Sequence, residues 1–558
     1  MLLAEASLYI MDEYEEEDFK TKYIGHLGLV ASKIHEMELI SFIDSRLPIS
    51  MENGAKVSMG ERVAAMILNG LGFIDSRLYL FPEFLSDKPV ARLFGRELKV
   101  EWFNDDALGR CLDAIMSYGA TKLYTEYALH IGERRRLLGR SSHIDTTTLS
   151  VYGEYSNSQD DEFPQPAQGY AKSGRHDLKQ MVLLLATTGA ANFPIYMESH
   201  SGNASDKETL PAAANRIQAL CQGLREAHDF IHVGDSAMYS NILQYSETMD
   251  WISRVPENIK EASLMSSMLD EELVWVKLDE SYSYYSTTSH YKNVEQRWVM
   301  FFSKAAAVRE IATLNKKVKQ EQQEQEKAWW HLSNEIFQCT TDAAKAIASL
   351  KKQLKYHEVE TSIVEIKKHI RRGRPKMGDV PEVSGYQIQY QLKLNEASLE
   401  KKRATKGRFI LATNILNEAK LSCAELLKEY KSQSGTEAGF KFIKNDAFEV
   451  DSVFLKTPER IVALMMVMTL CLMIYGVSEF DLRQTLQKQT ETLPNQQKKQ
   501  TNKPTMQWIY FLFRAVNELS IYQQGTVVKK MVINVNPLLR RIINYFGVYA
   551  QRIYFNSG

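Results

Sequence analysis

The sequence predicts an α/β fold in which a mixed sheet is interrupted by an α+β insertion and preceded by a helical region. Three observations support this fold class. Residues 1–138 have the apolar spacing of amphipathic helices, and alternating strand patterns begin at Ser141. Between about residues 258 and 405, strands are mixed with long charged helices, and a further strand pattern follows at residue 407.

Composition is that of a soluble globular protein. The chain has 558 residues, 44% of them hydrophobic, enough for three or four domains with real cores. Its 68 Lys and Arg residues nearly balance 69 Asp and Glu residues, for a net charge of −1. This excludes extended disorder and gives no overall support to a nucleic-acid or anionic-membrane partner. Such a partner would have to bind local clusters of basic residues.

Cysteine usage and the apolar runs constrain the environment. Five scattered cysteines without a CxxC pair exclude a disulfide scaffold or zinc ribbon and indicate a reducing compartment. The first residues lack the basic region of a secretory signal. The longest apolar run, residues 461–477, is at the short limit for a membrane span, so we predict a buried core helix there and no membrane span.

The N-terminal region, residues 1–138, is predicted to be helical. Ser58 and Glu61 have capping-box spacing, and Asn104 begins an N-cap cluster before a second helix. Another helix follows Gly119 and ends in the basic run 134–136. These two helices fit either a helix-turn-helix reader of DNA or a helical hairpin with a solvated basic end.

The sheet is predicted to begin in residues 139–258. Three successive strands are expected at SHIDTTTLSVYGEY, MVLLLATT and PIYMESH, followed by a helix over 210–224. Two further strands are expected at FIHVG and WISRVP. Asp145 lies within the first of these strands, and Asp235 lies at the exit of the fourth.

Three segments complete the predicted organisation. Residues 259–405 form the insertion, with strands and a helical hairpin that breaks near Thr340. The sheet domain resumes in residues 406–485 with a strand and a helix through Leu427. Residues 486–558 contain a polar stretch with the composition of an exposed linker, before a C-terminal segment.

The segment from Tyr430 to Lys444 carries the most informative pattern. On one continuous helix, Tyr430, Gln433, Glu437 and Lys444 would fall on one face, because offsets of 3, 7 and 14 residues follow the helical repeat. A face with an acid and a base two turns apart is unusual for a core helix. It predicts a polar partner on that side.

This segment resembles a known signature. Tyr, two residues, Arg, three residues, Glu, six residues and Lys form the YREK signature of a large group of bacterial insertion-sequence transposases with an RNase H-like DDE catalytic domain. Tyr430, Glu437 and Lys444 match in register, whereas Gln433 stands where the signature has Arg. Upstream, HIDTTTLSVYGEY is similar to the first-aspartate motif and HVGDSAMYS to the second. The similarity covers about residues 141–480, with an insertion between the second Asp and the Glu.

The resemblance implies a catalytic triad of carboxylates, Asp145, Asp235 and Glu437. These would hold two Mg²⁺ ions, replaceable by Mn²⁺, which stabilise the attacking and leaving oxygens of phosphodiester displacement. Asp145, on a central strand, would bridge both ions. Lys444 and Tyr430 would contact the DNA strand near the scissile bond. Because Gln433 replaces the signature Arg, the phosphate contact expected of that Arg would be absent or supplied by Lys431 or Lys441.

Each carboxylate also has an ordinary structural interpretation. Glu437 could complete a capping box that begins at Ser434, and Asp235 could cap a turn or helix. Asp145 is harder to explain this way, because an acid in a half-buried strand is costly unless it is paired or bound to metal. His143 and His232 are expected to be neutral core histidines, not ligands.

Other basic segments are weaker indications of DNA contact. Residues 367–376 include Arg371, Arg372 and Arg374 around the Arg-Gly-Arg-Pro core that minor-groove AT-hook segments use, although an exposed basic loop fits equally. Lys172, Arg175, His176 and Lys179 would either meet phosphate or lie in a solvated hairpin. With residues 134–136, 401–403 and 441–444, these clusters would place basic charge on one face, so DNA affinity should depend on salt.

The predicted function is that of a DDE DNA transposase acting by cut-and-paste chemistry. The resemblance implies end cleavage, a hairpin intermediate and strand transfer into target DNA. The implied partners are double-stranded DNA, both terminal inverted repeats and target, and a second copy of the chain in a synaptic homodimer, in the cytoplasm and associated with the nucleoid. Two alternatives remain open: a metal-dependent nuclease of the same fold, and a non-catalytic transposase-derived DNA-binding protein, for which Gln433 is the only hint.

Overall fold

The computed structural model divides the chain into two compact units. The first contains Met1–Ser253 and Lys428–Gly558, and the second is Arg254–Leu427. The structure describes residues 19–49, 54–72, 81–152, 155, 163–170, 175, 177–223, 228–368, 380–444 and 457–556.

The described residues form sixteen strands in chain order. They are β1 Phe19–Tyr23, β2 Ser141–Val151, β3 Lys179–Thr188, β4 Phe193–Ser201, β5 Ile231–Gly234, β6 Asp250–Arg254, β7 Val276–Lys277, β8 Tyr282–Tyr291, β9 Val294–Ser303, β10 His357–Lys368, β11 Glu382–Leu394, β12 Arg408–Thr413, β13 Leu493–Pro494, β14 Gln500–Thr501, β15 Asn517–Gln523 and β16 Thr526–Ile533.

The same residues form nineteen α-helices. They are α1 Leu27–Glu36, α2 Leu39–Arg46, α3 Met59–Gly70, α4 Phe81–Ser86, α5 Val90–Phe94, α6 Asp105–Tyr118, α7 Ala120–Arg134, α8 Asp206–Gln222, α9 Ser236–Ile242, α10 Lys260–Ser267, α11 Lys304–Ser333, α12 Thr340–Lys351, α13 Glu396–Ala404, α14 Cys423–Lys431, α15 Ser434–Ile443, α16 Pro458–Lys488, α17 Met506–Leu512, α18 Pro537–Tyr545 and α19 Val548–Phe555.

Helices α3 and α6 begin where the sequence placed their caps. Ser58 and Glu61 form a capping box at α3, and the Asn104 side chain accepts from the backbone N–H of Ala107 at α6. Gly119, at φ 100°, separates α6 from α7. The strand β1 was not predicted. It pairs antiparallel with β15, so a predicted all-helical region shares a three-stranded sheet with the C-terminal segment.

The predicted mixed sheet is present in the first unit, with strand order β4-β3-β2-β5-β6. Strands β2, β3 and β4 are an antiparallel meander, whereas β5 and β6 run parallel to β2. β2 is therefore central, with β3 on one side and β5 on the other. Almost every residue of β2 and β3 is buried, as expected of strands covered on both faces.

The apolar run 461–477 lies within α16, which is long and apolar enough to cross a membrane by length and composition alone. However, 83% of its most apolar window is buried inside the protein. Thr469 and Ser478 satisfy their buried hydroxyls by donating to the carbonyls of Met465 and Ile474. This packing is that of the core helix predicted from the sequence.

The second unit combines a sheet with a separate helical layer. Its sheet strands follow the order β12-β9-β8-β7, and β8 and β9 join through Lys292 and Asn293, both at positive φ as two-residue hairpins require. The predicted helical hairpin is α11 and α12. It packs against the two-stranded ribbon β10–β11 around Trp329, which is fully buried.

The predicted linker is not an unstructured connection. Helix α16 extends to Lys488, and the strands β13 and β14 pair Leu493 with Thr501. The turn between them is held by the Asn495 side chain, which accepts from the backbone N–H groups of Gln497 and Lys499. A polar composition therefore marked exposure correctly here but missed the hairpin, whose turn a side-chain cap stabilises.

Candidate active site

Asp145 lies in the middle of the central strand β2, opposite Leu185 of β3. Its carboxylate is half-buried and accepts from the backbone N–H of Thr146 at 2.7 Å. Because side chains alternate along a strand, Asp145 projects from the same sheet face as Ser141 and His143. The central strand of the sheet therefore carries one of the predicted catalytic acids.

Asp235 directly follows β5, the parallel neighbour of β2. The register pairs Ser141 with Ile231 and His143 with Val233, and the same offset of 90 residues relates Asp145 to Asp235. The pairing ends at His143 with Val233, so each acid follows the paired segment by two residues, on strands that lie about 4.8 Å apart. Asp235 Oδ1 also accepts from the N–H of Ala237 at 2.9 Å. Its structural interpretation as a helix cap, here of α9, is thus confirmed.

Glu437 lies in α15, with its side chain exposed. The single continuous helix expected from Tyr430 to Lys444 was wrong, because α14 ends at Lys431 and α15 begins at Ser434. Tight i to i+3 hydrogen bonds, from Gly435 N to Ser432 O and from Thr436 N to Gln433 O, replace regular helix at the break. Gln433, and not Ser434, holds the N-cap position of α15.

Helix α15 is fixed to the face of the sheet from which Asp145 projects. The hydroxyl oxygens of Thr436 and Thr187 are 2.6 Å apart, and Thr436 also donates to the carbonyl of His143 at 3.3 Å. Thr187 pairs with His143 across the antiparallel ladder and so shares its face. Glu437, adjacent to Thr436, is thereby tied to the strand that carries Asp145.

Close approach of α15 depends on glycine. A Cβ at Gly435 would come within 2.0 Å of Asn192 Oδ1 in the turn between β3 and β4. On its other side, the rings of Phe442 and Tyr475 of α16 pack with centroids 4.4 Å apart. The helix that carries Glu437 is therefore held between the sheet and the core helix.

A second polar link joins α14 to the same strand. The Ser141 hydroxyl donates to the carboxylate of Glu429 and lies 3.0 Å from Nε2 of His143. Burial lowers the pKa of His143 to about 4, so the ring is neutral, and its Nδ1 has no hydrogen-bond partner among the described residues.

His232 behaves as the core histidine that the sequence predicted. Its ring nitrogens contact the Ser142 hydroxyl at 3.0 Å and Gln218 Oε1 at 3.2 Å. Burial lowers its pKa to about 3, so it is neutral over the physiological range.

The predicted DNA contacts around the site differ in exposure. Lys441 is exposed, whereas Lys444, at the C-cap of α15, is half-buried. Tyr430, in the last turn of α14, and Gln433 are half-buried as well, and Lys431 is exposed. The helix break means that Tyr430 and Glu437 belong to different helices.

Several other predicted basic contacts are engaged within the protein. Arg134 forms two bonds to Glu38, and Arg135 pairs with both Glu36 and Asp481. Arg134 is nevertheless exposed, as a solvated basic end implies, whereas Arg135 is half-buried between carboxylates of other helices.

Between the first two strands of the sheet, Arg175 pairs with Asp177, and Lys179 donates to the carbonyl of Tyr155. Arg371, Arg372, Arg374, Lys172 and His176 lie outside the described residues.

The site offers oxygen ligands on neighbouring strands. Within the described ranges, no three His, Cys, Asp or Glu side chains are grouped closely enough to hold a metal ion. Asp145 and Asp235 are nevertheless the kind of pair that binds Mg²⁺, which takes one or two protein carboxylates and completes its shell with water and phosphate oxygens.

The links made by Thr187, Thr436, Ser141 and Glu429 were missed from sequence. These residues carry no motif of their own. Only the strand parity of Ser141 with Asp145, and the place of Thr436 beside Glu437, could have indicated them.

Two protein families match parts of this chain. Residues 142–474 match the family described as "Transposase DDE domain", and residues 19–129 match a domain family of unknown function, DUF4277. No curated protein matches. A solved structure titled "Cryo-EM structure of piggyBac transposase synaptic complex with hairpin DNA (SNHP)" is similar at 10% identity over 87% of this chain and 80% of that chain, with a TM-score of 0.36. Because the family match spans more than half of its residues, the chain belongs to the transposase DDE domain family.

Proposed function

We propose that the protein is a DNA transposase whose catalytic carboxylates are Asp145, Asp235 and Glu437. The observation that carries the proposal is the register of β2 and β5, which relates Asp145 to Asp235 on adjacent parallel strands within the family match. The anchoring of Glu437 through Thr436, on the face from which Asp145 projects, supports a role for the third acid.

The three acids would hold Mg²⁺, with Mn²⁺ as a substitute, and the bound ions would supply charge stabilisation at the attacking and leaving oxygens. The protein's own contribution is rigidity. Asp145 is fixed by a central strand and Asp235 by its cap of α9. Exposure of Glu437 leaves it accessible to DNA and solvent.

The DNA strand at the site would meet side chains from the α14–α15 segment. Lys441 and Lys444 are proposed to contact phosphates, and Tyr430 and Gln433 to position the strand. Lys441 is exposed and takes the contact that the signature Arg would make. Arg371, Arg372 and Arg374 are proposed as a further minor-groove contact.

The finer reaction sequence follows from the sequence resemblance. It comprises cleavage at terminal inverted repeats, a hairpin intermediate and strand transfer into target DNA by a bacterial insertion-sequence transposase of the YREK group. A synaptic homodimer and a cytoplasmic, nucleoid-associated location belong to the same proposal.

Purified protein should cleave duplex DNA that carries the inverted repeats flanking its gene, and it should require Mg²⁺. Asp145→Asn, Asp235→Asn and Glu437→Gln should each reduce cleavage by about 10³-fold or more, because each removes a charge that the transition state needs. Glu247→Gln, at an exposed position near the sheet, is the matched control and should cleave like the parent. Full cleavage by the three site variants would refute the assignment.

A second assay separates a transposase from a nuclease of the same fold. Pre-cleaved ends with a free 3′-hydroxyl are supplied together with supercoiled target DNA. Joined products are expected, and cutting without joining would identify a nuclease instead.

A further inference from the structure

Charge is distributed very unevenly along this nearly neutral chain. Residues 488–558 contain ten Lys and Arg residues and only two acids, Glu491 and Glu518, for a net charge of +8. The preceding 487 residues therefore carry a net charge of −9. The strongest basic region lies outside the clusters that sequence motifs indicated.

Both acids of this region are already engaged. Glu491 pairs with Arg541 at 2.6 Å, and the buried Glu518 pairs with Arg92 at 2.5 Å. Lys498, Lys499 and Lys503 remain exposed on and beside the β13–β14 hairpin. The positive charge of the hairpin is therefore presented to solvent.

Contacts connect Arg541 and Arg514 to this hairpin. Arg541 donates to the carbonyl of Thr492 at the base of the hairpin. On the other side of the hairpin, Trp508 Nε1 donates to the carbonyl of Pro494 at 2.8 Å and its ring stacks on Phe511. The guanidinium of Arg514 lies 4.1 Å from the Phe511 ring centre. We call Lys498, Lys499, Lys503, Arg514 and Arg541 the C-terminal basic surface.

The surface is held in shape before any partner binds. Asn495 accepts from the N–H groups of Gln497 and Lys499, which fixes the turn that carries the paired lysines. Stacking on Phe511 holds the Arg514 guanidinium in place. Fixed charges lose less conformational entropy on binding than free side chains do.

We infer that the C-terminal basic surface binds the phosphate backbone of double-stranded DNA without reading its sequence. The segment that carries this surface has a net charge of +8, which complements a polyanion, and two successive lysines at an exposed turn suit phosphates rather than base edges. The inference rests on the proposed function for the biological partner. This DNA contact is separate from the DNA strand that is proposed to bind at Asp145.

The test uses the full chain with Lys498→Gln, Lys499→Gln and Lys503→Gln combined. The matched control is Lys316→Gln, Lys317→Gln and Lys319→Gln, three exposed lysines of α11 in the second unit. Affinity for a duplex of random sequence, about 30 base pairs long, is measured by fluorescence anisotropy. The salt concentration is varied from about 50 to about 200 mM, the range over which the strength of phosphate contacts changes with salt.

The hairpin variant should bind about tenfold more weakly. The slope of its log affinity against log salt concentration should be smaller in magnitude by about two to three, since each lost phosphate contact reduces that slope by about 0.9. The control variant should bind like the parent. Equal losses in both variants, or an unchanged affinity of the hairpin variant, would overturn the inference.

The result is independent of the catalytic assignment. If the parent fails to cleave end DNA, the proposed function fails, while the affinity difference between the two lysine variants still decides the role of the surface. If the parent cleaves and the two variants bind alike, the further inference alone is wrong.

Discussion

The hydroxyl oxygens of Thr436 and Thr187 lie 2.6 Å apart in a contact that excludes solvent completely, between α15 and β3. This is the point at which the helix carrying Glu437 is fixed to the sheet carrying Asp145. The contact is polar in an apolar setting. The Thr187 hydroxyl depends on Thr436 for this bond, whereas the Thr436 hydroxyl also donates to the carbonyl of His143.

Thr436→Val should destabilise the protein by about 1–3 kcal/mol, because it leaves the Thr187 hydroxyl buried without its partner. Thr187→Val should cost less, because the Thr436 hydroxyl keeps its bond to the carbonyl of His143. The double variant should cost less than the sum by about 1 kcal/mol, since no unpaired hydroxyl remains. Urea unfolding of the parent, both single variants and the double variant measures this coupling. Strictly additive losses would show that the hydroxyls do not depend on each other.

Asp235 combines a cap with a proposed catalytic role, and two substitutions separate them. Asn caps helices as well as Asp does, so Asp235→Asn should keep the melting temperature while cleavage is lost. Asp235→Ala should lose cleavage and also about 0.5–2 kcal/mol of stability. Thermal unfolding and a cleavage assay on both variants test this. Cleavage by the Asp235→Asn variant would show that Asp235 acts only as a helix cap.

Arg135 should contribute to stability and not to DNA affinity. It pairs with Glu36 and Asp481, which Lys33 also contacts, and it is largely shielded from solvent. Arg135→Gln should cost about 1–3 kcal/mol, the range for hydrogen bonds to charged groups, with DNA affinity unchanged. Denaturant unfolding and anisotropy with duplex DNA measure the two effects. A large loss of affinity in a fully stable variant would return Arg135 to the DNA-binding residues.

Stability should fall as pH drops below about 6.5, the ordinary pKa of histidine. Burial lowers the pKa of His26 to about 4 and that of His232 to about 3. Below pH 6.5 the unfolded chain therefore binds more protons on these two rings than the folded chain does. The free energy of unfolding falls as the pH decreases from about 6.5 toward the pKa of each buried ring, by about 1.4 kcal/mol per pH unit for each ring.

Replacing a buried ring checks this pH dependence. His232→Gln cannot titrate, so its free energy of unfolding should decline less steeply between about pH 6.5 and 5 than that of the parent. His290→Gln, at an exposed position, serves as the control and should follow the parent. A parent-like slope for His232→Gln would contradict the assigned neutral state.

Local patterns predicted the elements of this fold well. Strand alternation gave β2, β3 and β4, and side-chain caps gave the starts of α3 and α6. These signals are readable because burial on one face and capping by a nearby side chain are recorded within a few residues of sequence. The break between α14 and α15 was missed, since its turn is stabilised by tight hydrogen bonds in a segment whose side-chain spacing still suits a helix.

By itself, the sequence determined the order of the strands β2 to β6, the buried character of α16, and the motifs that carry Asp145, Asp235 and Glu437. Only the tertiary structure decided which residues meet: β5 beside β2, Thr436 on Thr187, and β1 against β15. It also decided that Arg134 and Arg135 are neutralised by distant carboxylates. The reason is physical, because a local pattern records that a side chain needs a partner, whereas the identity of the partner follows from how the whole chain packs.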